Sequence, residues 1–420
     1  MSTQNFKVKA HKFPGQHIRQ YPGATRHREE DVLFLEAKQY TPLSNPKPQE
    51  GDVTILATHA VSFPKELYEP LWDDLLEQSG HQGFRVRSIW VVDASNQGAS
   101  GVINERTQGD DPSFFDHPRD LLHMINLFRG DFPQPVVGIG HSMGGTALIQ
   151  LAHLHPRLLS SLVLFDPVLG INAATDFASV FYLNSIRPDL WPSQEMAEKT
   201  SRALFRSWNP RVLDKWMKHG LRNTPTLAHP EPSKVTLQTS KAQGAWTYGR
   251  SWFDPLSNSG SFATLAARAK YPDMHDGILQ THPFYRPEDA VVWNDLPRLR
   301  PGVFYVSPET GPMIDEKIAR EKLSRTGCGP GGSGGTADGR VSSIVLKGTG
   351  HLLPFEKPVE CARLAAEWLS RDLKAWQERA TFEREHRDNK SVDKVTLSDE
   401  WIKQTKLYFL RSKASGKAKL

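Results

Sequence analysis

The sequence predicts an α/β fold: a mostly parallel, doubly wound sheet with a largely helical cap inserted before its last strands. Three observations lead there. From Asp31 onward, short apolar runs of strand length alternate with stretches apolar at helical period. One of these runs, Val136-Val-Gly-Ile-Gly140, passes through His141-Ser142-Met143-Gly144 directly into Thr146-Ala-Leu-Ile-Gln-Leu-Ala-His-Leu154, a helical pattern that Pro156 stops. Between residues 170 and 300 strand alternation gives way to an aromatic-rich, helical pattern. The expected layout is an α/β core over 31–169 and 301–376 and a cap over 170–300. An irregular arm over 1–30 and a charged tail over 377–420 complete it, and 420 residues accommodate all four.

In chain order, the polar, His-rich arm is expected to hold one edge strand at Phe6–Ala10, and Asp31–Tyr40 is the first firm strand. Asp52–His59 is continuously apolar, as a strand buried on both faces must be. Leu67, Leu71, Leu75 and Leu76 mark a helix, and Phe84–Asp93 is a strand running into the polar loop Ala94–Gly101. Asp93, Ser95, Asn96 and Ser100 read as strand-end polarity near the mouth of a site. A helix over His117–Phe128 precedes the Val136 strand, and Leu159–Phe165 supplies the next strand, ending at Asp166-Pro167. In the cap, Phe177, Phe181, Tyr182, Trp191, Phe205, Trp208, Trp216, Trp246, Tyr248, Trp252 and Phe253 punctuate helical stretches such as Gln194–Trp208. Most should be packing, with some presented to a site beneath. Pro301–Ser307 and Val341–Lys347 return to the sheet, separated by a glycine-rich surface loop over 327–335. The helix marked by Val359, Ala362, Ala366, Leu369, Leu373 and Trp376 closes the core, and Glu400–Leu410 forms a last short helix.

Composition narrows the function. No window approaches eighteen continuous apolar residues and the first ten residues lack an apolar core, so neither a membrane span nor a secretory signal is expected, and the protein is read as intracellular. Cys328 and Cys361 have no metal-ligand spacing and read as structural thiols. The formal charge of +5 traces to the tail, where Lys403 to Leu420 holds six Lys or Arg and no acid. A nucleic-acid groove is not indicated. The 327–335 loop lacks the lysine and spacing of a phosphate cradle.

A serine between two glycines on a strand–turn–helix is a nucleophile elbow, its hydroxyl thrown clear of the backbone at a helix N-terminus. A hydroxyl is a poor nucleophile at neutral pH and needs a base within hydrogen-bond reach and an acid to orient that base. On elbows of this kind the order is serine, acid, histidine. Among sixteen histidines, His351 is the candidate base, because Gly348-Thr-Gly-His351 follows the last strand at the sheet's carboxyl edge. His141 flanks the serine and is expected to point away from it. Two carboxylates compete as the acid. Asp166, one strand after the elbow, is favoured over Glu309, which lies after the following strand. Backbone donors for the developing oxyanion are expected from Met143 and from the loop at Ala60 and Val61. No metal or redox cofactor is needed for such chemistry.

These stretches, His59-Ala-Val-Ser, Asp93-Ala-Ser-Asn-Gln-Gly, Gly140-His-Ser-Met-Gly-Gly and Gly348-Thr-Gly-His351, come in the order and spacing of the α/β-hydrolase superfamily. The sequence resembles that superfamily over about residues 30–376, departing at Ala60, where glycine is frequent. Within it, the sequence is most similar to fungal peroxisomal members, lipases and acyl-CoA hydrolases of secondary metabolism among them. The resemblance implies a triad of Ser142, Asp166 and His351. It also implies a serine hydrolase acting on a small acyl substrate, preferentially an acyl-CoA thioester. A carboxylesterase or lipase is the alternative, and a non-hydrolytic biosynthetic or binding protein on the same scaffold is the third reading. Ala418-Lys419-Leu420 is a variant of the Ser-Lys-Leu address, so the peroxisomal import receptor is the expected partner and the peroxisomal matrix the expected location.

Overall fold

Residues 2–170, 178–251, 268–269, 271–273, 284–388 and 395–415 are described by a computed structural model. Eight strands make one sheet: β1 (Phe6–Pro14), β2 (Phe34–Pro42), β3 (Val53–Thr58), β4 (Val86–Val92), β5 (Val136–His141), β6 (Ser161–Phe165), β7 (Gly302–Pro308) and β8 (Val341–Leu346). Their order is 1-2-4-3-5-6-7-8. β1 and β2 run antiparallel, β2 runs antiparallel to β4, and every pair from β4 to β8 is parallel. Every residue of β3, β5 and β6 is buried, so these runs are apolar without alternation.

Apolar layers cover both faces. On one face Ile55, Val137 and Phe165 pack with the helices Glu69–His81 and Pro358–Asp388 through Leu71, Trp72, Trp368 and Leu369. On the other, Leu56, Val136 and Leu164 pack with Asp116–Leu127 and Met143–Leu154 through Leu121, Met124, Leu148 and Leu151. β5 lies between β3 and β6, with Thr58 opposite Gly140 and His141 opposite Phe165. The carboxyl ends of three adjacent strands therefore converge on the residue after His141.

Two expectations change. The arm is not irregular: β1 is nine residues long and paired throughout with β2, against the five residues expected. Lys7, Lys9 and Lys12 disguise it. They decorate an edge strand whose apolar anchors, Phe6 and Phe13, face opposite layers. Residues after it are tied down by Arg19, which meets Asp120 at 2.7 Å. The cap, in turn, ends before residue 300. The helix Glu288–Asp295 and the turn after it send Val292, Trp293, Leu296 and Leu299 into the same layer as the Met143–Leu154 helix.

Between β6 and that point the described residues form four helices, Ala178–Ile186, Gln194–Leu204, Pro210–His219 and Lys241–Tyr248, with small sheets of three and two strands. Phe205, Trp208 and Trp216 pack with Phe63 and Phe355, ring centroids 4.0–6.4 Å apart, and are core. Phe177, Trp252 and Phe253 lie outside the described residues, as does the Ala418-Lys419-Leu420 tripeptide.

The chain divides into two compact units, Met1–Leu373 and Lys374–Leu420. The second holds the later turns of Pro358–Asp388 and the helix Asp399–Ala414, whose N-cap Ser398 accepts from Trp401 N at 3.2 Å. No helix among the described residues is long and apolar enough to cross a membrane.

Candidate active site

Ser142 leaves β5 with φ 57° and ψ −125°, a conformation that side chains other than glycine's rarely adopt. Close packing imposes the turn. A Cβ on Gly140 would lie 2.8 Å from Gly145 Cα, and one on Gly144 would lie 2.7 Å from the Thr58 carbonyl carbon. The strand and helix can meet this closely only without side chains at those positions. Ser142 N donates to the Phe165 carbonyl at 3.0 Å and Thr58 Oγ1 to the Gly144 carbonyl at 2.8 Å, which lock the turn to both neighbouring strands.

The same turn brings three sequence candidates together. Asp166, with φ 41°, donates its own N–H to Val306 on β7 at 2.9 Å and turns its carboxylate inward. His351 stands on the loop after β8. Its Nδ1 lies 2.7 Å from Asp166 Oδ2 and its Nε2 3.0 Å from Ser142 Oγ. This geometry has Nδ1–H donating to the aspartate, leaving Nε2 to accept the serine proton. Glu309 is elsewhere: its exposed carboxylate accepts from Gly348 N at 2.8 Å and meets Lys347 at 3.0 Å. With Glu356, which accepts from Gly350 N at 2.7 Å, it steadies the loop that carries His351.

The loop expected to face a developing oxyanion is equally constrained. Met143 N and Val61 N donate to no acceptor among the described residues. Ala60 N cannot serve there, because it donates to the Tyr68 hydroxyl at 2.9 Å. Ser62, with φ 72°, is fixed by its N–H donating to Gln97 Oε1 at 2.7 Å. Asp93, read as a polar loop residue, is fully buried and clamps this loop instead. It meets Lys65 Nζ at 2.6 Å and accepts from Lys65 N at 3.0 Å. Burial opposes the charge on Lys65, but Asp93, Glu66 and Glu36 outweigh it and raise its pKa above the ordinary lysine range.

Tyr68 escaped the sequence reading, and so did the role of His141, expected only to point away from the serine. Tyr68 O–H donates to His141 Nδ1 at 2.8 Å, and His141 Nε2–H donates to the main-chain carbonyl of His351 at 2.8 Å. Burial, then the neighbouring His351, holds His141 far below its ordinary pKa, so it stays neutral. The signal available was the pairing of His141 beside the elbow with a tyrosine ahead of the first helix, which spacing alone does not connect.

Ser142 and His351 open into a cavity of about 90 Å³, lined also by Val61, Phe114, Val168, Tyr248 and Met313. Of the described cap aromatics singled out above, Tyr248 lines it. Among the described residues no group of His, Cys, Asp and Glu is arranged to hold a metal.

A serine, histidine and aspartate in hydrogen-bonded line, at the carboxyl edge of a sheet ordered 1-2-4-3-5-6-7-8, define the class: a hydrolase of the α/β type. The chain belongs to the alpha/beta hydrolase family, whose model matches residues 55–364. It is 38% identical, over the whole of both chains, to the type I acyl-CoA thioesterase mpaH' of Penicillium brevicompactum. To the type I acyl-CoA thioesterase mpaH of Penicillium roqueforti it is 37% identical, over 97% of this chain and 96% of that one. Its fold is like that of the peroxisomal alpha-beta-hydrolase Lpx1 of Saccharomyces cerevisiae, with a TM-score of 0.67, 15% identity and 98% of each chain covered.

Proposed function

We propose that the protein is an acyl-CoA hydrolase that works through an acyl-enzyme on Ser142. The observation that carries the chemistry is the line Asp166–His351–Ser142, with spacings of 2.7 and 3.0 Å, opening into an apolar cavity beside two unspent N–H groups. The substrate class is supported by full-length identity to type I acyl-CoA thioesterases.

As Ser142 Oγ attacks the thioester carbon, its proton passes to His351 Nε2 and the carbonyl oxygen becomes an oxyanion, met by Met143 N–H and Val61 N–H. Asp166 holds the imidazolium and its tautomer. When the tetrahedral intermediate collapses, the carbon–sulfur bond breaks and coenzyme A leaves as a thiol, taking the proton from Nε2. Water then repeats the cycle on the acyl-serine, giving His351 a proton and releasing the carboxylic acid.

For location, we propose the peroxisome, on the Ala418-Lys419-Leu420 address and on the likeness to a peroxisomal hydrolase fold. Fusing the last twelve residues to a fluorescent protein tests it, since a diffuse signal would refute the address.

For the activity, purified protein and Ser142→Ala are incubated with acyl-CoAs and with p-nitrophenyl esters. Release of thiol by the wild type alone is expected. Cleavage of the esters with no thiol released from any acyl-CoA would make the protein a carboxylesterase instead.

A further inference from the structure

Two lining residues of the Ser142 cavity break its apolar character, and both come from one short segment: Arg286 and Asp289. Arg286 is committed to the scaffold. Its Nη1 donates to the Pro112 carbonyl at 2.9 Å and to Glu288 Oε1 at 3.2 Å, its Nη2 donates to the Trp246 carbonyl at 2.8 Å, and the guanidinium lies over the Phe114 ring. Glu288 accepts through Oε1 from Ser113 Oγ at 2.7 Å and Phe114 N at 2.9 Å, and although its Oε2 is buried with no partner among the described residues, it does not line the cavity. Asp289 differs. It is 2% exposed, it forms no ion pair with Arg286, and its Oδ1 accepts from Ala290 N at 2.8 Å. Its Oδ2 has no partner among the described residues.

An acid in the first turn of a helix ordinarily serves the helix dipole as a carboxylate. Here burial holds the group far above the usual carboxylate range, with Glu288 adding to the rise and the Ala290 N–H and Arg286 opposing it. Burial therefore favours the protonated carboxyl of Asp289, and the O–H of that form is a donor on the cavity wall with no acceptor among the described residues. A leucine there would fill the space without setting a polar atom against the cavity. What the position supplies is a polar point, away from Ser142 and His351 and less engaged than Arg286, on a largely apolar wall, the arrangement that fixes orientation and selectivity in small-molecule pockets.

We propose that Asp289 is a specificity-determining residue whose carboxyl donates a hydrogen bond to an oxygen on the acyl group, away from the reacting carbonyl. The preferred acyl chains then carry a carbonyl, ether or phenolic oxygen, and the plain hydrocarbon chain of equal length is the poorer substrate. The proposal rests on Ser142 being the acyl acceptor. Its logic is that of any buried polar site: a substrate lacking the partner leaves the site's own group unpaired.

Pairs of acyl-CoAs matched in length, one plain and one bearing an oxo or ether oxygen, test it on the full chain. Wild type should favour at least one oxygenated chain by about tenfold in kcat/KM, which corresponds to about 1.4 kcal/mol. Asp289→Leu should bring that ratio to about one or invert it, while Asp289→Asn, whose amide still donates, should keep it within about threefold. A ratio unmoved by Asp289→Leu in a folded variant would overturn the proposal, as would collapse of the ratio in Asp289→Asn. Should the leucine variant not fold, thermal shifts of the wild type with the free carboxylic acids decide. A larger shift with an oxygenated acid than with its plain partner supports the proposal, and equal shifts across all pairs overturn it. A wild type that hydrolyses no thioester contradicts the acyl-CoA reading itself, whereas one that hydrolyses all of them without preference contradicts only the role of Asp289.

Discussion

His141 Nε2 lies 2.8 Å from the main-chain carbonyl of His351, so the residue beside the proposed nucleophile holds the backbone of the proposed base. The contact positions the His351 loop and leaves its ring free. His141→Phe removes the donor while keeping a ring in the space, so kcat should fall about 10- to 100-fold with KM little changed, as expected for a base displaced by up to an ångström. Steady-state kinetics check this, and an equal loss in KM would argue for a substrate contact instead. Tyr68→Phe should act from one step further back. It leaves Ala60 N–H and His141 Nδ1 without partners, each costing about 1–3 kcal/mol, visible as a lower denaturant midpoint.

The two carboxylates considered for the acid can be told apart by rate. Asp166→Asn removes the charge beside His351 Nδ1 and should lower kcat by about 10³- to 10⁴-fold, with binding retained. Glu309→Gln alters an exposed anchor of the loop and should keep activity within about threefold, because the amide oxygen still accepts from Gly348 N. A larger loss from Glu309→Gln than from Asp166→Asn would reverse the assignment. Labelling by a fluorophosphonate probe should occur in wild type and vanish in Ser142→Ala.

Lys65 is the cation that the loop carrying Val61, the proposed oxyanion donor, is folded around. Lys65→Met leaves Asp93 and Glu66 buried without it and should cost about 3–5 kcal/mol of unfolding free energy. Urea denaturation measures the loss, and a cost below about 1 kcal/mol would mean that the pair is not the clamp described above.

Acid should weaken the fold. Burial holds His59, His141, His153 and His219 below their ordinary pKa, and burial, then His59 and Arg19, push His117 to about 3. Below about pH 6.5 the unfolded chain therefore binds up to five protons that the folded chain does not, and stability falls as pH falls. Asp116, raised to about 6 by burial and by Asp120 against the pull of Arg19, works the other way, as do Asp73 and Asp289, both raised by burial. The net is 5 − 3 = 2 protons, about 3 kcal/mol per pH unit. Denaturant midpoints between pH 8 and 5 should fall accordingly, more shallowly in His117→Phe. A midpoint that rises on acidification would contradict the assignment of neutral histidines.

The elbow was legible because its demands are local. Glycines on both sides of Ser142, an apolar run before and a helical period after suffice to place one side chain. His351 and Asp166 were legible at one remove, since strand ends in a parallel sheet collect at one edge whatever lies between. What stayed hidden depends on contacts across long separations. Tyr68 sits on a short turn over Lys65–Tyr68 that merges in sequence with the helix after it, and nothing in its spacing points to His141, 73 residues on. β1 was half hidden by its lysines. The helix at Glu288 looked like more cap because its core face, Val292 and Trp293, is only two residues wide.

Ser142 occupies backbone geometry that glycine would hold with less strain, at a cost on the order of 1–3 kcal/mol. A chain selected for durability alone would carry glycine at 142, and Ser142→Gly should melt later than the wild type while hydrolysing nothing. The hydroxyl's reach is thus drawn from the reserve that keeps the molecule folded, and variants selected for heat tolerance without selection for turnover should drift toward losing it.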